Sequence, residues 1–338
     1  MGETEAKPIV SIVVPFYNLE TCATYCVKSL AVQTYKNCEF ILVDDGSSDG
    51  TPALLDELTL GDRRFRVFHE HNRGLSGARN FGVEVATGEL VSFVDGDDFV
   101  HSNYVKELVD AYMHTGYGMV IARPEMVRFS DEKIDSTFNK VGMGYEEITP
   151  QQAIEYACYE DRAFPSACSC LARRTQYLKS PFPQGHMYED VYMFCDYVGR
   201  NEHIGLLNSR PYGYVMRKDS IVNRKHARVS QAQDFASSIK KYCDDARRIA
   251  PEKQEAIAYF AAHHYCQLHD LCKVVEDDPA KAREIDLTAR ARLRELVSIT
   301  KGDRHVSRAQ QLRFDLLAQH PKLYECAFGL YRLAKKGF

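Results

Sequence analysis

Short runs of apolar, β-branched residues alternate with amphipathic stretches through the first two-thirds of the chain. Val10 to Phe16 (VSIVVPF) is apolar at nearly every position, as a strand buried on both faces requires. Glu39 to Val43, Arg66 to His69 and Leu90 to Val94 are further short strands of this kind. Helical patterns fall among them: Thr21 to Gln33 after the first strand, Thr51 to Leu60 after the second, and Gly77 to Ala86 before the fourth. This β-α-β-α-β order predicts a mostly parallel sheet with helices on both faces. Ligands of such sheets sit at the carboxyl ends of the strands. Phe129 to Gly144 is polar and aperiodic, and reads as a loop or short hairpin over that edge. From about Val222 the strands vanish, and helical patterns run over 230–249, 252–275, 279–299 and 304–336. The expected division is an α/β domain over residues 1–221 and a helical region over 222–338.

A length of 338 residues suits about two domains. Basic residues number 43 and acidic residues 47, and this near balance argues against nucleic acid as a partner. No run of 18 apolar residues occurs, so no membrane-spanning segment is expected. The opening MGETEAKPIV lacks an apolar core behind a basic start, unlike a secretory signal. The eleven cysteines are scattered and odd in number, which points to reduced thiols and a cytoplasmic protein.

Polar motifs stand just after the apolar runs. Asp44-Asp45-Gly46-Ser47-Ser48-Asp49-Gly50-Thr51 follows the second. Its glycines permit a tight turn, and Asp49 or Thr51 can cap the next helix. Two carboxylates at a strand end exceed what a turn needs; they can accept hydrogen bonds from a base N–H or a ribose hydroxyl. Asp95-Gly96-Asp97-Asp98 follows the fourth run. Three carboxylates in four residues repel one another unless a cation or a proton intervenes. A hard divalent ion, Mn2+ or Mg2+, is the ready explanation; an EF-hand is excluded, because no glutamate closes a twelve-residue loop. Between them, residues 71–82 are rich in glycine but match neither a dinucleotide fingerprint nor a P-loop. Arg73 and Arg79 there are candidate anion or carboxylate partners. Glu189-Asp190 opens an apolar helical stretch, where acidic residues suit the helix dipole or supply a general base. Arg217 and Lys218 could neutralise a diphosphate.

Taken in order, Pro15-Phe16-Tyr17-Asn18, then Val43 to Thr51, then Asn72-Arg73-Gly74-Leu75-Ser76-Gly77-Ala78-Arg79-Asn80, then Phe93 to Asp98, resemble a family-2 glycosyltransferase over roughly residues 8–221. The resemblance implies the GT-A fold: a Rossmann-like, mostly parallel central sheet with helices on both faces. It implies transfer of a sugar, with inversion, from a nucleotide-sugar donor, commonly a UDP-sugar. Asp44 matches the position that reads the base, with Asp45 beside it. Pro15, Tyr17 and Asn18 match the segment lining the nucleoside, and Arg73 belongs to the same donor-binding set. Asp95-Gly96-Asp97 matches the Asp-x-Asp motif. Asp97 would bind the divalent metal, Asp95 would face the ribose and sugar, and Asp98 is a second candidate ligand. Asp190 matches the catalytic base, with Glu189 beside it. Arg217, Lys218 and Ser220 match diphosphate contacts, although Lys218-Asp219 stands where relatives often carry a glycine before the serine.

Processive relatives carry a Gln-x-x-Arg-Trp motif and membrane helices. This chain has no tryptophan, so one sugar per encounter is expected. The resemblance implies a glycan or lipid-linked acceptor in cell-surface polysaccharide synthesis. A sugar-nucleotide nucleotidyltransferase is the rival enzyme, but it calls for a Gly-rich basic loop after the first strand, where Pro15 to Glu20 stand. A non-catalytic binding module of the same fold is the other rival, and intact Asp97 and Asp190 argue against it. Residues 301–338 carry eight basic and three acidic residues, with apolar positions from Leu323 to Ala334 at helical spacing. Such a segment can lie on an anionic membrane at the inner face of the cell, through residues 304–338, or dock on the protein itself or a partner subunit. His263, Cys266, His269 and Cys272 close no four-ligand zinc set. Cys168 and Cys170 read as buried thiols.

Overall fold

A computed structural model describes residues 7–116, 118–128, 144–216 and 226–327. The chain forms two compact units: residues 1–153 with 162–220, and residues 154–161 with 221–338.

The first unit begins β1 (Val10–Phe16), α1 (Ala23–Ala31), β2 (Cys38–Asp44), α2 (Thr51–Thr59), β3 (Phe65–His69), α3 (Gly74–Val85) and β4 (Leu90–Phe93). It continues through β5 (Phe99–Val100), α4 (Tyr104–Thr115), β6 (Met119–Ile121), β7 (Glu125–Arg128), β8 (Tyr145–Ile148) and α5 (Pro150–Tyr159), which passes into the second unit at Ile154. It ends with β9 (Cys170–Arg173), α6 (Arg174–Lys179), α7 (Glu189–Val198), β10 (Ile204–Leu207) and β11 (Tyr212–Met216). The main sheet has the order β3-β2-β1-β4-β9-β6-β10-β8, and a small sheet has the order β5-β11-β7. Strands β3, β2, β1 and β4 are parallel, as their β-α-β spacing predicts. β9 runs antiparallel to β4 and β6, and β8 antiparallel to β10. Every residue of β1 is buried, so helices cover both faces of the sheet there. Helix α3 lies close over β1 because Gly82 has no side chain: a Cβ there would stand 2.2 Å from Val13 Cγ1.

The second unit is helical: α8 (Val229–Ile249), α9 (Gln254–Cys272), α10 (Pro279–Thr300) and α11 (Arg308–Gln319), with residues 154–161 from α5. Tyr242 of α8 stacks on Phe260 of α9 at 3.9 Å between ring centroids. Tyr259, Cys266, Leu293, Phe314 and Tyr324 share one buried cluster. The sequence pattern predicts one helix over 304–336, whereas α11 ends at Gln319. Pro321 explains the break, because it lacks the N–H and disfavours helix in the residue before it. Of the proposed membrane stripe, Tyr324 is buried and Leu323 is 57 % exposed; Phe328, Leu330, Tyr331 and Ala334 lie outside the described residues. Among the described residues no helix is long and apolar enough to cross a membrane, and every cysteine is a free thiol.

Candidate active site

The loops after β1, β2, β3 and β4 meet at the carboxyl edge of the sheet. Asp45 N–H donates to the Phe16 carbonyl at 2.8 Å, and Gly96 N–H to the Pro15 carbonyl at 3.3 Å. Asn18, with φ +53°, accepts from Ser48 N–H at 2.8 Å, and its own N–H donates to Ser47 Oγ at 2.9 Å. Tyr17 is half exposed beside it. Gly96 is required by this closeness: a Cβ would meet Phe16 Cδ1 at 2.5 Å and the Pro15 oxygen at 2.8 Å. Pro15, Tyr17, Asn18, Asp44, Asp45 and Gly96 are thereby brought to one edge.

Asp44 and Asp45 are both buried, and each holds a neighbouring loop. Asp44 accepts Ser47 N–H through Oδ1 at 3.0 Å, and its Oδ2 lies 3.0 Å from His69 Nδ1. Asp45 accepts Arg73 N–H at 2.7 Å. Burial raises the carboxyl pKa of Asp45 even though backbone N–H groups of Arg73 and Gly74 favour its charged form. The Arg73 guanidinium is half exposed and pairs with Glu70 at 3.1 Å.

Asp95, Asp97 and Asp98 can each present one carboxylate oxygen so that all three lie within 4.8 Å of one another. Among the described residues no other cluster of His, Cys, Asp and Glu has such geometry. All-oxygen donors at this separation fit a hard divalent cation. The three differ in accessibility. Asp95 and Asp97 are partly exposed, while Asp98 is buried. Both oxygens of Asp98 are engaged: Oδ2 accepts from the Tyr212 hydroxyl at 2.6 Å and Oδ1 from Val215 N–H at 2.8 Å. Burial, then the charges of Asp97 and Asp95, push its carboxyl well above the usual range. Tyr212 in turn accepts Asp95 N–H at 3.1 Å. Asp98 therefore ties the acidic turn to β11, a link no sequence motif announces, because Tyr212 lies 114 residues away.

Arg79 is the centre of the site. Its side chain is 2 % exposed and lies above the rings of Phe182 (5.5 Å) and Phe93 (5.9 Å). It donates to Asp95 Oδ1 at 2.8 Å and to Glu189 Oε1 in a short contact. Burial works against its charge, and the two carboxylates more than offset that. One cation thus joins the acidic turn after β4 to the first residue of α7. Glu189 is buried in that pair, whereas Asp190 is less enclosed. Asp190 Oδ1 accepts Val191 N–H at 2.7 Å. Burial first, and the neighbouring Glu189 charge second, raise Asp190 to about 7. Tyr188, at φ +61°, turns the chain into α7 so that both carboxylates sit in its first turn. Arg217, Lys218 and Ser220 lie outside the described residues.

The oxygen donors of the acidic turn suit a hard divalent cation, and a carboxyl raised toward neutrality suits proton transfer. Residues 11–177 match the family described as Glycosyl transferase family 2. The glycosyltransferase GlyG of Streptococcus pneumoniae serotype 4 is 29 % identical over 243 residues, which is 70 % of this chain and 80 % of GlyG. Matches to several other curated glycosyltransferases span only 30–31 % of those proteins. S. aureus TarS 1–349, solved with UDP-GlcNAc, has a TM-score of 0.58 at 17 % identity, covering 87 % of this chain and 91 % of that one. The mannosyltransferase PcManGT of Pyrobaculum calidifontis, solved with GDP-Man and Mn2+, has a TM-score of 0.56 at 18 % identity, covering 94 % and 82 %. The motifs, the sheet and these likenesses agree: residues 11–177 form a glycosyl transferase family 2 domain, and the fold is GT-A.

Proposed function

We propose that this glycosyltransferase moves a sugar, with inversion, from a nucleotide-sugar to an acceptor hydroxyl, and that Asp190 is the base. The observation that carries this reading is geometric: Asp190 stands in the first turn of α7 beside Glu189, whose carboxylate is tied through Arg79 to Asp95 of the acidic turn. Burial raises the Asp190 carboxyl toward neutrality. A general base works best when its pKa lies near the operating pH. Asp190 takes the proton of the acceptor hydroxyl as its oxygen attacks the anomeric carbon. The bond to the diphosphate breaks on the opposite face, so a single base suffices and no enzyme nucleophile is needed. Asp97 would hold a divalent ion, with Asp98 as the second candidate ligand and Asp95 facing the ribose and sugar; when bound, the ion would neutralise charge on the leaving diphosphate. Arg79 stays protonated throughout and fixes Asp95 and Glu189, so the acidic turn and α7 keep one geometry.

A UDP-sugar is the favoured donor. Asp44, an acceptor at the nucleoside edge, suits the N3–H of uracil, and TarS was solved with UDP-GlcNAc. PcManGT was solved with GDP-Man, and the N1–H of guanine offers a similar donor. The acceptor is a cell-surface glycan or its lipid-linked precursor, reached one sugar at a time. Calorimetric titration of UDP, GDP, CDP and ADP, with and without Mn2+, tests the donor site. Metal-dependent binding of UDP alone is expected. Preference for GDP would move the donor and keep the mechanism. Binding of none would overturn the reading.

A further inference from the structure

His69 closes β3 at the strand position directly across from Asp44, the last residue of β2. Its Nδ1 lies 3.0 Å from Asp44 Oδ2, and its Nε2 lies 3.4 Å from Asp56 Oδ1 on α2. Both facing atoms are carboxylate oxygens. A neutral imidazole has one N–H and can donate to only one of them; the doubly protonated ring can donate to both. The charge balance agrees: burial disfavours the imidazolium, yet the hydrogen bonds to Asp44 and Asp56 raise its pKa above the ordinary histidine value. On the other side of Asp44, Ser47 N–H occupies Oδ1. Each Asp44 oxygen is thus fixed by one donor, one from the loop after β2 and one from β3. Each keeps a further lone pair for a ligand.

We propose that His69 is a positioning residue for nucleobase choice: with Ser47 N–H it locks the Asp44 carboxylate so that it accepts the imino N–H of a uracil- or guanine-type base. This inference rests on the assignment of Asp44 to the base. A carboxylate held this way rewards bases that present an N–H at that edge. It repels bases that present a ring-nitrogen lone pair there, as cytosine and adenine do. The sequence alone gives no sign of the pairing, since 25 residues separate the two.

The test uses the full chain with Mn2+ and measures UDP and CDP affinity by calorimetry, together with donor KM and kcat. His69→Leu removes the donor, and His69→Asn restores an N–H at the Nδ1 position without the ring. His69→Leu is expected to weaken UDP about tenfold, the scale of one hydrogen bond to a charged group. CDP should change less than twofold, and the activity loss should appear in donor KM rather than kcat. His69→Asn should recover UDP to within about threefold. Equal weakening of UDP and CDP, a loss confined to kcat, or failure of His69→Asn to recover UDP would overturn the proposal. Asp44→Asn separates the two levels. If it leaves UDP affinity unchanged, the assignment of Asp44 itself fails. If it weakens UDP while His69→Leu does not, only the role of His69 fails. His69 is 41 % exposed on an edge strand, so both variants should fold, and equal melting temperatures would show it.

Discussion

At the scale of single residues, the proposed mechanism divides the site into a group that reacts and groups that hold it. Asp190→Asn keeps the shape of the carboxyl and removes its basicity. It should lower kcat by about 10²–10⁴-fold with nucleotide affinity nearly intact, read from initial rates and UDP titration. The pH dependence has a definite sign. As the proposed base, Asp190 would have to lose its proton to act, so kcat/KM should rise as pH increases through about 7. Stability runs the other way. The folded protein retains a proton near pH 7 that the unfolded chain releases near pH 3.9, so this contribution is complete at low pH and is lost as pH rises through 7. Asp190→Asn should therefore raise Tm more at pH 8 than at pH 4.5. Asp97→Asn should weaken nucleotide binding in Mn2+ and leave metal-free binding little changed, again by titration. Arg79→Met would strand two carboxylates around a buried, uncharged side chain. Breaking a buried pair of this kind costs about 3–5 kcal/mol, which urea denaturation would register.

At the scale of elements, the strands and the four motifs were legible because each has a local signature. β1 spans the very residues its apolar run marks, and β2 to β4 differ from their runs by a residue or two. Antiparallel β9 had no such signature. It is four residues long and follows Ser169 in a left-handed conformation, so alternation has no room to appear. The acidic turn was legible as a candidate ligand set, but the engagement of Asp98 by Tyr212 and Val215 was not. Nor was the Arg79–Glu189 pair, formed across 110 residues, since one sequence carries no record of which distant charges meet. Element packing makes its own prediction. Gly82→Ala pushes a methyl group into Val13 of β1, and either α3 or β1 must shift. The expected cost is about 1–3 kcal/mol, measured by denaturant melting, with donor affinity falling as the loops at both ends move.

At the scale of the whole molecule, the composition and the switch from strand to helix patterns made two regions legible. They did not reveal that the second unit begins inside the first. Residues 154–161 belong to the helical unit, and the chain returns to the α/β unit at Arg162. A pattern reading assigns segments by their own periodicity, and α5 looks like any other helix of an α/β domain. Its side chains tell otherwise: Cys158 Sγ lies 3.7 Å from the Tyr242 hydroxyl, and the Tyr159 hydroxyl donates to Asp303 at 2.5 Å.

This nesting matters while the protein is being made. The ribosome delivers residues 154–161 before it delivers any of α8 to α11. Once Ser220 has emerged, the α/β unit has all of its chain, yet Ile154, Ala157 and Cys158, all buried in the finished protein, still await their own unit. A nascent chain paused at that point carries an uncovered apolar strip, the kind of surface that chaperones grip and that drives aggregation.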